Sequence, residues 1–317
     1  MDHVSIMPKP AADRAIAGTR IAGSTRTALA SVQNAALLAI TYFAIAGLGY
    51  SLSPADDLGG FFRLPAGLVV ATFLLTSRSQ WLGLIAGAFL GAAAFGLTHD
   101  LAPETIAARA AITILQAVIA TELLERLCGR PFALRNLRDV ATFLLAAVTG
   151  ATLVGALIGV ALAGHAPGGF THSVIERWSS AALGVLTLTP LLLQWADLPE
   201  DKSGRVRLRN PVEASLLVFA TACVVAFVFG HSATVFAPVG LLLIVPVVWA
   251  AARFGLHGVT AVVMAESLPM AFATALATAT AGDATSTSSA AAAQLFAACV
   301  AAAGLVLAVA MHPRAAR

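Results

Sequence analysis

The chain of 317 residues is 59% hydrophobic and only 11% charged, with a formal net charge of +3. Soluble domains carry roughly 25% charged residues, so this composition excludes an ordinary water-soluble globular protein. The basic excess does not indicate nucleic-acid binding either, because Lys and Arg stand in short clusters between apolar segments, as in membrane proteins. We therefore expect the lipid bilayer to be the main partner and expect no nucleic-acid partner.

The amino-terminal segment is basic and polar, with Lys9, Arg14, Arg20 and Arg26 among Ala, Ser and Thr. A signal peptide needs an apolar core soon after its basic start, and the first apolar run here begins only near residue 35. That run is long enough to cross a membrane. We predict that residues 1–33 form a basic, disordered cytoplasmic tail.

The apolar runs that follow predict membrane-spanning helices. A bilayer core about 30 Å thick needs roughly 20 helical residues, and only helices satisfy the backbone of such runs in lipid. The predicted fold class is all-α, a polytopic transmembrane helix bundle of about ten spans, with a transmembrane domain at 34–311 and a short tail at 312–317. The predicted spans are 34–53, 64–77, 81–98, 105–125, 139–163, 174–195, 213–231, 237–252, 258–281 and 290–311.

Charge predicts the orientation of these spans. Alternate segments hold every Lys and Arg of the chain except Arg63, Arg109 and Arg177. Cytoplasmic loops of membrane proteins collect Lys and Arg. We therefore predict that both termini are cytoplasmic and that the protein is a multi-pass protein of the bacterial inner membrane. The basic segments are 1–33, 78–80, 126–138, 196–212, 253–257 and 312–317.

Glu266 is the clearest ionisable residue inside a predicted span. A charged group at mid-membrane costs at least about 2.5–3.5 kcal/mol on insertion scales, so Glu266 should face the bundle interior. Helical spacing predicts that Met270 and Ala273 share its face. Three interpretations stay open: a proton or ligand site near the helix-weakening Pro269, a hinge in signal transmission, or a structural carboxyl that joins two helices.

Polar residues also recur in the fourth predicted span. Arg109, Thr113 and Gln116 are spaced i, i+4 and i+7, which places them on one helix face that should point inward. Arg109 either snorkels to the outer interface, pairs with an acid or binds an anionic ligand. Near the outer ends of other spans, Arg63, Glu176 and Arg177 are further ligand or relay candidates.

The sequence carries none of the common catalytic signatures. It has no Gly-x-x-x-x-Gly-Lys-Ser/Thr phosphate loop, no His-Glu-x-x-His, no Gly-x-Ser-x-Gly and no Cys-x-x-Cys. The histidines are scattered without the spacing of a ligand pair, and the 196–212 loop is too short for a catalytic domain. We expect no enzymatic activity, no cofactor and no metal.

Four segments together resemble one known family. They are LPAGLVVATFLLTSRSQWLGLIAGAFLGA at 64–92, LRNLRDVATFLLAAVTGATLVGALIG at 134–159, RWSSAALGVLTLTPLLLQW at 177–195 and VPVVWAAARFGLHGVTAVV at 245–263. Their order and spacing are similar to the MASE1 family, bacterial membrane-associated sensor domains found ahead of diguanylate cyclase and histidine kinase modules. The resemblance implies that residues 34–311 form a transmembrane sensor domain.

The chain departs from the family pattern in two places. Many members carry an acid just before the Leu-Gly of the third segment, where this chain has Ser180, Ala181 and Ala182. A role that rests on that acid is therefore in doubt. Members usually continue into an output domain, whereas this chain stops at Arg317, which implies a stand-alone sensor, a fragment, or a protein that signals through a separate partner.

The leading functional interpretation is a sensory or regulatory membrane module. It would relay an outer or intramembrane stimulus, an unidentified small ligand, to a separate cytoplasmic protein of the histidine kinase or diguanylate cyclase type. The alternative is a small transporter or permease subunit, which Pro-interrupted spans and a midplane Glu would suit equally well. A structural membrane partner is a third interpretation, and homo-oligomerisation is left open.

Overall fold

A computed structural model describes residues 9–51, 63–164, 169–196, 211–231, 238–281 and 285–311. The described residues form helices and short connections, with no strand among them. A π-helical segment, Phe143–Ala151, joins α5 to α6, and 3₁₀ turns at Arg78–Gln80 and Pro238–Leu243 precede α3 and α9. The helices are α1 (Lys9–Ser51), α2 (Leu64–Leu75), α3 (Trp81–Thr98), α4 (Pro103–Cys128), α5 (Leu137–Thr142), α6 (Thr152–Ala163), α7 (Phe170–Ala196), α8 (Pro211–His231), α9 (Ile244–Ala281) and α10 (Thr285–Met311).

The predicted fold class is confirmed: the chain is an all-helical, multi-pass membrane protein. Eight helical stretches in the described residues are long and apolar enough to cross a membrane, and α2 is a shorter apolar helix. The 12 residues of α2 span about 18 Å at 1.5 Å per residue, less than a bilayer core. Eight to ten spans are consistent with these lengths, depending on how α2 and α9 are counted.

The long helix α9 contains a break. Its 38 residues would extend about 57 Å if straight, nearly twice the thickness of a bilayer core. Gly255 interrupts it with φ 62° and ψ −146°, a backbone conformation in the positive-φ region that favours glycine. The predicted spans 237–252 and 258–281 lie on either side of this residue, which belongs to the Arg-Phe-Gly of the fourth segment.

The prediction of a disordered amino-terminal tail is wrong for residues 9–33. These residues are helical and continuous with the first span, since α1 runs for 43 residues from Lys9 to Ser51. Only Leu29–Ser51 is apolar enough to cross a membrane. Ala-rich sequence with interspersed Arg favours helix wherever no Pro or Gly run interrupts it, which explains why the helix extends beyond the apolar part.

Small residues let α3 pack closely on α1. Gly83, Gly87 and Gly91 recur every four residues and face α1, where a Cβ on Gly87 would lie 2.4 Å from the carbonyl oxygen of Ala35. Such a separation is far below van der Waals contact, so only glycine allows it. Glycine at this spacing is a common means of close helix packing in membranes.

A second close contact fixes α2 against α7. A Cβ on Gly67 would lie 2.1 Å from the carbonyl oxygen of Gly184, and a Cβ on Gly184 would lie 2.1 Å from the carbonyl oxygen of Arg63. Thr189 Oγ1 donates to the Gly67 carbonyl at 2.9 Å, and the Arg63 amide donates to the Ser180 carbonyl at 3.4 Å. The glycines of the first and third segments thus meet, and their contact places Arg63 beside α7.

A cluster of ion pairs joins the other end of α2 to the end of α4. Arg78 Nη2 lies 2.8 Å from Glu125 Oε2 and 3.0 Å from Glu122 Oε1, and Arg130 Nε lies 3.2 Å from Glu125 Oε1. Arg130 Nη2 also donates to the Thr76 carbonyl at 2.6 Å. The buried Glu125 therefore ties the α2–α3 turn to the segment after α4. We call these residues the Glu125 cluster.

The orientation of the bundle remains a prediction that reporter fusions can test. Fusions after Arg317 and within 200–207 should report a cytoplasmic location, and insertions near Gly168 or Asp283 an outer one; all four positions lie outside the described residues. Paired alkaline phosphatase and green fluorescent protein reporters give opposite signals on the two sides. A periplasmic signal at Arg317 would contradict cytoplasmic termini.

Candidate functional site

A cavity of about 110 Å³ lies between α1, α2, α3 and α4, at the end where α2 and α4 begin. Apolar side chains form much of its wall, and the polar side chains come from two of the helices, α1 and α4, and from the residue that precedes α2. The polar lining consists of Tyr42, Tyr50, Arg63, Arg109, Thr113 and Gln116. This mixture of apolar walls and a few convergent polar groups is typical of a small-molecule site.

The α4 part of the lining is the face predicted from helical spacing. Arg109, Thr113 and Gln116 all line the cavity, and Gln116 is only 3% exposed. Thr113 Oγ1 donates to the Arg109 carbonyl at 2.9 Å. A side-chain hydrogen bond also links Thr113 to the Tyr42 hydroxyl. The face points into the bundle, so its polar groups are turned towards α1 and α2 and not towards lipid.

Arg63 enters the same cavity from the residue before α2, where the glycine contact with α7 holds its backbone. Burial first, and then the positive charges of Arg177 and Arg109, lower the pKa of Arg63 to about 10, while Tyr42 and Glu176 act in the opposite direction. Arg63 therefore remains cationic at neutral pH. The three arginines that lie outside the basic segments of the sequence are close enough for their charges to act on one another.

Arg177 approaches this group from α7. Its Nη1 would lie 3.7 Å from a Cβ on Gly159, the same distance as Ile112 Cδ1 of α4. The guanidinium therefore sits where α4, α6 and α7 meet. Glu176, its neighbour in the chain, is half-buried, and its charge is felt at Arg63. We call Arg63, Arg109 and Arg177 the arginine triad.

Gln116 connects the inner end of the cavity to the helix that follows the π-helical segment. Its Nε2 donates to the Thr152 carbonyl at 3.3 Å. Gly155 makes room for this contact, since a Cβ there would lie 1.8 Å from Nε2. The side chain therefore both lines the cavity and presses against α6, so a change in its position must be accommodated by α6.

Two residues of the cavity were missed by sequence reasoning. Tyr42 and Tyr50 are the only tyrosines of the chain, and both line this cavity from α1. A tyrosine in an apolar span carries a hydroxyl that needs a hydrogen-bond partner when buried. That signal was available in the sequence and would have added α1 to the predicted site.

Glu266 lies in a different part of the bundle from the other five candidates. It is 5% exposed and lines a small space of about 10 Å³ with residues of α9 and α10, among them Met270, Phe296 and Ala297. Met270 shares its face as predicted, whereas Ala273 is half-buried and does not line this space. Oε1 of Glu266 has no hydrogen-bond partner within the described residues.

The arginine-lined cavity is suited to binding and offers little for acid–base chemistry. Guanidinium groups stay protonated and act only as donors, and the remaining polar groups are hydroxyls and one amide. In the part of the chain that the structure describes, no three His, Cys, Asp or Glu side chains converge on a possible metal site. The geometry therefore provides positive charge and hydrogen-bond donors around a small space.

Comparison with known proteins identifies one family. The sequence model of MASE1 matches residues 33–315, which is nearly all of the chain. No curated protein and no solved structure matches. The match includes every residue that lines the cavity and both helices around Glu266.

Proposed function

The chain belongs to the MASE1 family of membrane-associated sensory domains, and from this membership we propose that it is the stimulus-receiving module of a signalling system in the bacterial inner membrane. The stimulus binds in the cavity between α1 and α4. The output passes to a separate cytoplasmic protein of the histidine kinase or diguanylate cyclase type.

The observation that carries this proposal is the convergence of polar side chains on one cavity. Arg63, Arg109 and Gln116 are far apart in sequence, yet they line one space of about 110 Å³. Polar and charged groups inside a membrane bundle are costly and usually mark function. Because the cavity lies at the end opposite the Glu125 cluster, a ligand would act at one side of the bundle and be read at the other.

Helices α2 and α4 both run from the cavity to the Glu125 cluster. α2 and α4 line the cavity at their first residues, and the Glu125 cluster joins their last residues about 18 Å away along α2. A ligand shifts an equilibrium between two packings only if it binds one of them more tightly. A shift of α2 against α4 that improves ligand contacts would therefore also change the Arg78–Glu125–Arg130 contacts that face the partner.

The experiment is a deletion strain complemented with variants of the chain. Cellular cyclic di-GMP and phosphorylation of response regulators are the readouts. We expect wild type to restore the output, Arg109→Ala to restore less than a tenth of it at equal abundance, and Arg109→Lys to rescue poorly because Lys lacks the two-point fork of Arg. Arg135→Ala is the matched control, since it removes one exposed arginine far from the cavity.

Unchanged output in the deletion strain would contradict the signalling role. Full output from Arg109→Ala would contradict a role for the cavity, and Arg109 would then be a snorkelling residue. In both cases membrane abundance must first be shown to equal that of the wild type.

Transport is the alternative function, and two features of α9 favour it. The helix is broken at Gly255 and carries the buried Glu266 with Pro269 one turn on. Broken helices near a buried polar group are common at transporter substrate sites. Proteoliposomes loaded with labelled phosphate or succinate test it: efflux above protein-free vesicles supports transport, and retention of both solutes supports the sensory role.

A further inference from the structure

Resting on the proposed function and on the same cavity, we propose that its ligand is a small anion with carboxylate or phosphate oxygens, held by the arginine triad. Arg63 and Arg109 line the cavity, and Arg177 stands beside them at the meeting of α4, α6 and α7.

Charge is the first argument. Three guanidinium groups converge at one end of a bundle whose interior is otherwise mostly apolar, and no described Asp or Glu lines the cavity. Among the described acids, Glu176 is one whose charge acts on Arg63. Arg63 and Arg109 also have other interaction partners; the proposal rests on the proximity of three guanidinium groups at one cavity.

Geometry is the second argument. Arginine presents a planar fork of N–H donors that matches the two oxygens of a carboxylate or the face of a phosphate. A cavity of about 110 Å³ is several times the roughly 10–15 Å³ that one water molecule requires by the same measure. It therefore has room for a small anion such as phosphate or a short dicarboxylate. Tyr42, Thr113 and Gln116 supply hydrogen-bonding groups along the remaining wall.

A phosphate group could reach the triad from two sources. A free anion would enter as a solute, and an anionic lipid would present its headgroup from the bilayer while its chains stay outside. Both use the same oxygen-to-guanidinium chemistry, so the test must contain an arm for each source.

The experiment measures thermal unfolding of the purified full chain in an uncharged maltoside detergent, followed by the fluorescence of its four tryptophans. Sodium phosphate or sodium succinate is compared with sodium chloride at equal ionic strength, and phosphatidylglycerol is compared with phosphatidylcholine. We expect phosphate or succinate to raise the unfolding temperature with a saturating concentration dependence, as ligand linkage requires.

The variants localise the effect. Arg109→Ala and Arg63→Gln should each weaken the apparent affinity at least tenfold, and Arg135→Ala should leave it unchanged. Two variants at separate positions keep the test valid if one fails to fold. A shift with phosphatidylglycerol alone, lost in the same variants, assigns the site to a lipid headgroup phosphate and still supports the anion chemistry.

Two results would overturn the proposal: no shift with any of the anions, or a shift that survives in both triad variants. These results are separate from failure of the proposed function. Anion binding without any change in cellular output would support the anion site but contradict its signalling role. Altered output in Arg109→Ala without anion binding would support the signalling role but contradict an anionic ligand.

Discussion

Gly184→Ala is expected to prevent accumulation of the folded protein in the membrane. The added Cβ would lie 2.1 Å from the carbonyl oxygen and 2.7 Å from the carbonyl carbon of Arg63. These are backbone atoms, so no side-chain rotation can relieve the overlap. Overpacking of a close contact typically costs about 1–3 kcal/mol, and we expect about 3 kcal/mol here because α2 must move as a whole.

The consequence reaches the candidate site. Arg63 is the residue whose carbonyl Gly184 touches, and its amide donates to the Ser180 carbonyl. A displacement of α2 from α7 would therefore also displace one member of the arginine triad. Any Gly184→Ala protein that does fold should bind phosphate or succinate at least tenfold more weakly than wild type.

Gly47→Ala is the matched control for this prediction. Gly47 also lies in a membrane-spanning helix, but a Cβ there would meet no atom within 4 Å. Alanine is the better helix former by about 0.5–1 kcal/mol, so this variant should accumulate normally. Membrane abundance, gel-filtration profile in detergent and unfolding temperature are the measurements. Equal profiles for both variants would show that the α2–α7 contact is not as close as described.

Spacing within one helix was sufficient to predict part of the site. Arg109, Thr113 and Gln116 were placed on one inward face from the i, i+4 and i+7 rule, and all three line the cavity. The rule works because a helix fixes the relative directions of its own side chains regardless of what surrounds it. The same reasoning placed Met270 beside Glu266.

Contacts between helices were beyond that reasoning. The approach of Arg63 to Arg177 depends on where α2 crosses α7, and the crossing is set by Gly67 and Gly184. The sequence around each glycine does not predict this contact, since neither hydropathy nor helical spacing identifies the residue on another helix that the glycine will contact. The Glu125 cluster was missed for the same reason: its members come from the end of α4 and from two separate connections.

The spacing of basic residues and the apolar lengths predicted the bundle and one of its irregularities. The break at Gly255 lies between the two predicted spans 237–252 and 258–281, and the short basic turn there was the usable signal. The helical stretch of 9–33 gave no such signal, because a basic Ala-rich segment has the composition of both a disordered tail and a surface helix.

Glu266→Leu is expected to stabilise the protein and to abolish its signalling output. The carboxyl is buried between α9 and α10, and its Oε1 has no hydrogen-bond partner within the described residues. A buried polar group left without a partner costs about 1–3 kcal/mol. Leucine has a similar volume and no such cost, so the unfolding temperature in detergent should rise.

The prediction of lost output follows from the same observation. An interhelical hydrogen bond is the structural explanation for this residue, and Oε1 forms none with the residues that the structure describes. Ionisable groups inside membrane-spanning helices usually mark a functional site, so we expect Glu266 to act in signalling. The surrounding space of about 10 Å³ is near the smallest volume that admits one water molecule. A water molecule in this space would give a proton a route to the carboxyl.

Glu266→Gln tests whether signalling needs the exchangeable proton of Glu266 or only the shape of its side chain. Glutamine keeps the length of the side chain and its capacity to donate and accept hydrogen bonds, but it cannot release a proton. We expect a folded, inserted protein with the abundance of wild type and with its cyclic di-GMP or phosphotransfer output lost. Ser267→Ala is the control for local packing, because the Ser267 hydroxyl donates within its own helix, to the Val263 carbonyl at 2.7 Å. Wild-type output from Glu266→Gln, at unchanged unfolding temperature, would make Glu266 a structural residue and leave the arginine-lined cavity as the sole candidate for the stimulus.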